Sequence, residues 1–421
     1  MAQETNARPF ERVHFIGIGG AGMSGIALVL HQRGFHVTGS DLKASKYTRA
    51  LVKEGIEVFV GHHARTIDEV KPDVVVISTA IPQSNPELVR ARELGIEVWH
   101  RAKMLSFLSG DAITIACAGT HGKTTTSSLA ATMLERMNLK PTFLIGGIID
   151  GYETNGNSGE GPYFVAEADE SDGSFLNLDP NVVIVTNIEA DHLDHYGSLE
   201  AIEKTFVQFM GSVPEDGHVI VCGENPHVPE LARSCGRPVL TYGFGEGNDV
   251  VCTPKEGKGV NAFSVRLPDG HEYNLHLDHN PGLHNCLNAT AVLTLAYVLG
   301  LPCDEAAQAI SSFAGVHRRF ELVGEVDGVR VIDDYGHHPT EIAALNVFAA
   351  GEVPIPGVSG KTVSNAVLAH RPDAQASYMP DRHTVVDHMV KTARPGDLII
   401  TMGAGDVTLL GPAIVEGLKA R

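Results

Sequence analysis

The first third of the chain alternates short apolar runs with longer segments of helical spacing. Residues 13–16 are mostly apolar, as is typical of a buried strand, and a glycine-rich turn leads from them into a predicted helix over about residues 23–33. Further strands are predicted at residues 35–38 and 74–77. Strands that alternate with helices in this way predict a parallel, doubly wound sheet.

A second unit of the same kind begins near residue 109. Its first strand, residues 113–116, runs into another glycine-containing turn and a helix that reaches about residue 137. Four more strands, a hairpin with the turn Pro268-Asp269-Gly270 and a closing helix are predicted at residues 163–168, 182–186, 219–222, 239–242, 262–278 and 285–299.

The third unit has its first strand predicted at residues 329–332, another strand at residues 397–401 and a last helix after Gly403-Ala404-Gly405. The chain is therefore expected to form three α/β domains, over residues 1–108, 109–315 and 316–421.

Composition and charge narrow the possible functions. Apolar residues make up 43% and charged residues 20% of the 421, which is typical of a soluble globular protein. The net charge of -19 argues against nucleic acid as a partner, although loops within an acidic protein still bind small anions. The six cysteines are scattered, the N-terminus is polar and no apolar run approaches a membrane span. We therefore expect a cytoplasmic protein with reduced thiols and no membrane partner.

The strongest chemical signal is the turn Gly119-Thr120-His121-Gly122-Lys123-Thr124-Thr125, which follows a strand and begins a helix. In a phosphate-binding loop, small residues let backbone N–H groups approach phosphate oxygens, the lysine neutralises phosphate charge and the threonine offers its hydroxyl to magnesium. The usual motif has a glycine where this chain has Cys117, so the loop is a shortened variant. The alternative is a tight turn with a surface lysine.

Another glycine-rich turn, Gly17-Ile18-Gly19-Gly20-Ala21-Gly22, lies between the first strand and the first helix. Asp41 follows about twenty residues later at the end of the second strand, where an acid meets a ribose in dinucleotide-binding proteins. The spacing predicts a site for a nucleotide or a pyrophosphate. Close packing of the helix on the strand is the alternative.

Acidic segments follow two other strands of the second unit. Residues 167–172 carry four carboxylates in six positions, and residues 187–195 bring His192 among further carboxylates. Because the carboxyl ends of parallel strands meet at one edge of a sheet, both segments should lie beside the phosphate loop. A magnesium ion that bridges loop, carboxylate and phosphate is favoured, with solvated acidic loops as the alternative.

Three later segments place polar side chains at turns or helix starts, at residues 284–288, 317–320 and 333–340. Asparagine can serve both the donor and the acceptor edge of adenine, and arginine can neutralise phosphate charge in a transition state. Helix capping for the asparagines and surface ion pairing for the arginines are the alternatives.

With these segments in this order, the chain resembles the Mur ligases of bacterial cell-wall synthesis over nearly its whole length; residues 349–355 and 403–405 also match the family. The resemblance implies a Rossmann-like domain that binds a UDP-sugar, a central P-loop ATPase-like domain, and a Rossmann-like third domain that brings in the amino acid. It is strongest to the branch that joins L-alanine to UDP-N-acetylmuramate through an acyl phosphate. ATP and magnesium, or manganese in its place, would be required, and the protein would be a monomer or homodimer.

Residue roles follow from the same resemblance. The implied catalytic residues are Lys123, Glu170, His192, Arg319 and His337, and the implied magnesium ligands are Thr124, Glu170 and His192. ATP would contact Gly119, Thr120, His121, Gly122, Lys123, Thr124, Thr125, Asn285, Asn288, Arg319 and Asp334. The UDP-sugar and the amino acid would contact Gly17, Gly19, Gly20, Ala21, Gly22, Asp41, Tyr335 and His337.

The chain departs from the family between Glu341 and Asn346. Family members continue there with further helices and strands and an arginine-bearing loop, so about 50 residues are absent here. A parallel crossover needs roughly a dozen residues or more. The segment from Tyr335 to Asn346 only just reaches that length, and a turn takes up about half of it. The sheet of the third domain is therefore predicted to lack a strand or to be rearranged. In the family the lost loop grips the carboxylate of alanine. Either ligation is weak or absent in this chain, or the real gene contains the segment.

Two other functions stay open. One is a related Mur ligase that recycles a peptide onto the same sugar, although the turn at residues 17–22 favours the alanine-adding branch. The other is a nicotinamide-dependent oxidoreductase, which Gly17 and Asp41 permit. That function would leave Lys123, Glu170 and His192 unexplained.

Overall fold

A computed structural model describes residues 9–152, 154–255, 261–336, 369, 379, 381–403 and 405–421. The chain divides into two compact units, Met1–Ala314 and Gly315–Arg421. Within the described residues, no helix is both long and apolar enough to cross a membrane.

Strands and helices alternate strictly at the start of the first unit. They are β1 (Arg12–Ile16), α1 (Ala21–Gln32), β2 (His36–Asp41), α2 (Lys46–Lys53), β3 (Glu57–Val60), α3 (Ala64–Val70), β4 (Val74–Ile77), α4 (Pro86–Glu93), β5 (Glu97–His100) and α5 (Arg101–Ser109). The strands are all parallel, in the order β3-β2-β1-β4-β5. The predicted doubly wound sheet is confirmed. Its strand order reverses at β1, which is where such sheets bind ligands.

The rest of the first unit forms a larger sheet with its helices. The elements are β6 (Ile113–Ala118), α6 (Lys123–Arg136), β7 (Thr142–Leu144), β8 (Gly156–Asn157), β9 (Tyr163–Glu167), β10 (Val182–Val185), α7 (Leu193–Tyr196), α8 (Leu199–Gly211), β11 (His218–Cys222), α9 (His227–Ser234), β12 (Val239–Gly243), β13 (Val250–Pro254), β14 (Ala262–Arg266), β15 (Glu272–His276), α10 (Leu283–Val298) and α11 (Cys303–Ser311). The strand order is β15-β14-β13-β12-β11-β10-β6-β9-β7-β8.

The middle of this larger sheet positions the candidate site. β6 lies between β10 and β9 and is parallel to both, so the loops after these three strands meet at one edge, as predicted. β14 and β15 pair as the predicted hairpin. α6 packs against α10 and α11, and its residues 124–134 are all buried. The turn that begins α6 is therefore fixed by a buried strand on one side and a buried helix on the other.

The second unit contains β16 (Glu321–Val326), β17 (Val329–Asp334), α12 (Arg382–Thr392), β18 (Leu398–Met402) and α13 (Leu410–Lys419) among its described residues. β17 pairs antiparallel with β16 and parallel with β18. The prediction that residues 329–332 form the first strand of the third predicted domain was wrong, because β16 precedes them. β16 carries two glutamates and a glycine and is only partly buried, so it lacks the apolar run by which the other strands were found. The predicted shortening after Glu341 lies outside the described residues.

Candidate active site

The turn between β6 and α6 is tied to the loop that follows β10. The Asn187 side chain accepts the His121 N–H at 2.8 Å and donates to the His121 carbonyl at 3.0 Å. The Asn187 carbonyl accepts the Thr120 N–H at 3.2 Å. These two N–H groups therefore point at Asn187. A phosphate would instead meet the N–H groups of the first turn of α6, where the helix has no side-chain cap.

Two glycines allow this turn to pack so closely. Gly119 has φ +128°, and a Cβ there would collide with the Thr186 hydroxyl. At Gly122, with φ +85°, a Cβ would lie 2.9 Å from Oδ1 of Asn288. Cys117, which stands where the usual motif has a further glycine, is completely buried in β6. The shortened loop thus starts from the core of the sheet.

Lys123 is held directly above the turn. Its Nζ donates to the Gly119 carbonyl at 2.6 Å, to the Thr120 carbonyl at 3.2 Å and to Oε1 of Glu170 at 2.7 Å. Glu170 is only 3% exposed, and its Oε2 has no hydrogen-bond partner among the described residues. Burial raises the pKa of Glu170, although Lys123 opposes the shift. Lys123 is therefore a pre-positioned cation and not a free surface lysine.

The other predicted magnesium ligands lie around the same edge. The Thr124 hydroxyl donates to Oε1 of Glu167 at 3.0 Å, and Oε2 of Glu167 accepts the Gly146 N–H at 2.7 Å. His192 follows β10 with φ +51°, and its Nε2 lies 3.6 Å from Asp191. Within the described part of the chain, no three His, Cys, Asp or Glu side chains are grouped to hold a metal by themselves. The Thr124 hydroxyl and the unpartnered Glu170 oxygen still fit magnesium, which binds through few protein oxygens, waters and phosphate.

The asparagines of α10 lie beside the phosphate-binding turn. Asn285 and Asn288 are 5% and 6% exposed, and the Asn288 carboxamide donates to Oδ1 of Asn285 at 3.2 Å. Helix capping does not explain them, because the residue at the cap of α10 is Gly282, which has no side chain.

The first glycine-rich turn is closed by β2. The Ser40 carbonyl accepts the N–H groups of Gly17 and Ile18 at 2.8 and 3.0 Å. Oδ2 of Asp41 accepts the Gly19 N–H at 2.9 Å. The carboxylate predicted to meet a ribose therefore also fixes the turn. Gly20, the residue before α1, provides no side-chain cap, as at helix ends that bind anions.

A buried carboxylate supports this turn from the interior. Glu87 is fully buried, accepts a short hydrogen bond from the Ser40 hydroxyl and accepts the His63 N–H at 3.1 Å. His14 and His62 approach Glu87 to 3.5 Å. Burial alone would raise the pKa of Glu87, but its hydrogen bonds, first those from His14 and Ser40, hold it below the ordinary value. No sequence motif pointed to this cluster.

A cavity of about 180 Å³ connects the first glycine-rich turn to the acidic loop after β9. Its lining includes Gly22, Arg101, Gly146, Glu167 and Asp169. Arg101 was not predicted as a site residue, since it stands in no motif.

In the second unit, three predicted residues come together from two segments, one just before β16 and one at the end of β17. The ring of Tyr335 lies 5.2 Å from the guanidinium carbon of Arg319, and Asp334 accepts the N–H groups of Phe320 and Gly336 at 2.8 and 2.7 Å. Arg318 contacts the same ring, with its guanidinium carbon 4.8 Å from the ring centre, and also pairs with Asp333 of β17 at 3.4 Å. His337 lies outside the described residues.

Comparisons with known proteins agree along the chain. Three family models match: "Mur ligase family, catalytic domain" over residues 12–112, "Mur ligase middle domain" over residues 117–296, and "Mur ligase, glutamate ligase domain" over residues 318–349. The UDP-N-acetylmuramate–L-alanine ligases of Pelotomaculum thermopropionicum and Sorangium cellulosum are 42% and 40% identical to this chain. Each alignment covers 97% of this chain, and they cover 97% and 96% of the two relatives.

The fold agrees as well. The crystal structure of UDP-N-acetylmuramate–alanine ligase MurC from Thermotoga maritima matches with a TM-score of 0.80 at 27% identity, covering 97% of this chain and 99% of that one. The predicted α/β fold with N-terminal, middle and C-terminal domains is confirmed.

The alignment with the Pelotomaculum relative also shows that this chain lacks residues that the relative has. It occupies 453 positions, which is 32 more than the 421 residues of this chain. At least 32 positions of that relative therefore have no counterpart here.

Proposed function

Because the chain belongs to the Mur ligase family, we propose that it is an ATP-dependent ligase that joins L-alanine to UDP-N-acetylmuramate in peptidoglycan precursor synthesis. The γ-phosphoryl group of ATP passes to the lactyl carboxylate of the sugar, which releases ADP and leaves an acyl phosphate. The amine of L-alanine attacks the acyl carbon, a C–N bond forms, the nitrogen loses a proton and phosphate departs.

The observation that carries this proposal is the position of Lys123. Its ammonium group is fixed at the start of α6 by two carbonyls of its own turn and by buried Glu170. Phosphoryl transfer depends on charge stabilisation and alignment more than on covalent help from the protein. A cation that is already aligned beside a helix N-terminus supplies both.

Magnesium, or manganese, would be held by Thr124 and Glu170, with His192 in contact directly or through water. When bound, the ion neutralises charge on the phosphates. The unpartnered oxygen of Glu170 supports this part of the proposal.

The remaining roles follow the division of the chain proposed from its sequence, at residues 1–108, 109–315 and 316–421. The turn from Gly17 to Gly22 would bind the pyrophosphate of the UDP-sugar, with Asp41 near the uridine. Asn285 and Asn288 would contact adenine. Arg319, Asp334, Tyr335 and His337 would serve the ATP phosphates and the amino acid. Since ATP and UDP-sugars are made in the cytoplasm, we place the reaction there, in a monomer or homodimer.

ADP release from ATP, UDP-N-acetylmuramate and L-alanine tests the proposal. We expect release to require both the sugar and the amino acid, and Lys123→Met to lower kcat by at least about 100-fold. Lys140→Met is the matched control, because Lys140 forms an exposed surface ion pair with Glu160 and its replacement should leave the rate unchanged. ADP release by Lys123→Met at the normal rate would contradict the proposal.

A second candidate is a nucleotide-binding protein with impaired ligation. The 453-position alignment exceeds the length of this chain, and the match to the glutamate ligase domain ends at residue 349. In that case both nucleotides bind, but L-alanine does not stimulate ADP release and no alanyl product forms. Product analysis by mass spectrometry distinguishes the two candidates.

A further inference from the structure

We propose that Arg101 binds the reacting carboxylate of the UDP-sugar and so selects a carboxylated sugar over a neutral one. This inference rests on the proposed function, because it assigns a binding residue to that substrate.

Arg101 lies where the two halves of the first unit meet. It is the first residue of α5, directly after β5, and so lies at the carboxyl edge of the first sheet. A Cβ at Gly22, in the first turn of α1, would be 3.0 Å from Nη1 of Arg101. The guanidinium therefore covers the end of the helix to which an anion would bind.

The second amino group of the guanidinium is directed at the acidic loop after β9. Nη2 of Arg101 lies 3.0 Å from Oδ2 of Asp169 and 3.6 Å from Oδ2 of Asp172. Asp172 also accepts the Thr79 hydroxyl at 3.3 Å. The side chain is 21% exposed, so it is fixed by these contacts and still reaches the cavity. A planar guanidinium with five donors can bind a further carboxylate while it keeps these partners.

The acidic loop also joins Arg101 to the phosphate-binding turn. Asp169, which contacts Arg101, is followed by Glu170, which pairs with Lys123 at 2.7 Å. The two cations are thus bound to consecutive residues of one loop. A carboxylate at Arg101 would lie beside a phosphate at Lys123, which is the juxtaposition that phosphoryl transfer onto a carboxylate requires.

The charges around the cavity explain why Arg101 is needed for this. Glu167 and Asp169 line the cavity, and Asp172 lies next to it. These carboxylates would repel an anionic sugar, and among the described lining residues Arg101 is the cation that offsets them. Its removal both deletes a partner for the substrate carboxylate and leaves the acidic loop uncompensated.

Equilibrium binding of two ligands tests the inference. UDP-N-acetylmuramate carries the lactyl carboxylate, whereas UDP-N-acetylglucosamine is the same nucleotide sugar without it. We expect Arg101→Met to weaken binding of the first ligand by roughly tenfold or more and to change binding of the second by less than about twofold. Arg101→Lys should recover part of the loss, because it keeps the charge without the planar fork.

Arg90→Met is the matched control. Arg90, on α4, forms a surface ion pair with Asp68 of α3 and should affect neither ligand. Equal weakening of both ligands by Arg101→Met would overturn the inference, because Arg101 would then serve the shared UDP portion or only the fold. If Arg101→Met is unfolded, as judged by its thermal midpoint, Arg101→Lys is tested in its place. An Arg101→Lys variant that keeps the full preference for the carboxylated sugar would then overturn the inference. If the unmodified protein does not prefer the carboxylated sugar, the proposed function fails separately.

Discussion

Gly119→Ala should damage both stability and phosphate binding, because the turn has no room for a side chain. Gly119 has φ +128°, which costs an L-residue about 1–3 kcal/mol. The new Cβ would also collide with the Thr186 hydroxyl and lie 2.9 Å from the Asn187 carbonyl oxygen. Overpacking of this kind costs about 1–3 kcal/mol more. We therefore expect a total loss of about 2–6 kcal/mol.

The colliding groups also hold the turn in place, so they cannot move independently of it. Thr186 and Asn187 both hydrogen-bond to the carbonyl of His121. Relief of the clash would shift the turn, and a displacement of about 1 Å near a reacting group can lower a rate by about 100-fold. We expect a fall of this size in the rate of ADP release.

Gly55→Ala is the matched control. Gly55 has φ +93° and is exposed, and a Cβ there would meet no atom within 4 Å. It carries the backbone cost without the clash. Urea unfolding and ATP binding of the two variants separate the effects. Equal losses of stability in both, with normal ATP binding by Gly119→Ala, would refute the close-packing argument.

Three further outcomes are expected. The depressed pKa of Glu87 means that its ionised form stabilises the fold above its ordinary pKa of 4.5, and that this contribution disappears as pH falls through the lower native value. The thermal midpoint of Glu87→Gln should therefore decline less on acidification than that of the unmodified protein. Thr124→Val should lower kcat/KM at limiting magnesium by about tenfold or more, while Thr124→Ser keeps it; a magnesium titration of ADP release checks this. Asp333→Ala removes the buried carboxylate that pairs with Arg318 and accepts the Thr401 hydroxyl, and it should cost about 3–5 kcal/mol, measured by hydrogen exchange in β17 and β18.

Local chemistry could be read from the sequence where neighbours along the chain also form the site. The phosphate-binding turn is one uninterrupted motif, and the acidic loops were placed beside it because each follows a strand parallel to β6. Arg101 could not be found in this way, because its partner Asp169 lies 68 positions away in the sequence. The same limit applies to Asn187, which was seen as part of an acidic segment. Its contacts with the carbonyl and N–H of His121 depend on strand order, and strand order is a property of the folded sheet.

Cys117 stands at the start of the phosphate-binding loop, where the usual motif has a glycine, and its burial affects the reactivity of its thiol. Cys117 is completely buried, and burial raises the pKa of its thiol well above the usual range. Only the thiolate reacts readily with oxidants and alkylating reagents. The folded protein should therefore carry out phosphate chemistry without control by thiol oxidation, and reagents should first modify half-buried Cys235 and Cys303. Labelling of Cys117 would instead report that the central sheet has opened, which makes this thiol a probe of unfolding at the nucleotide site.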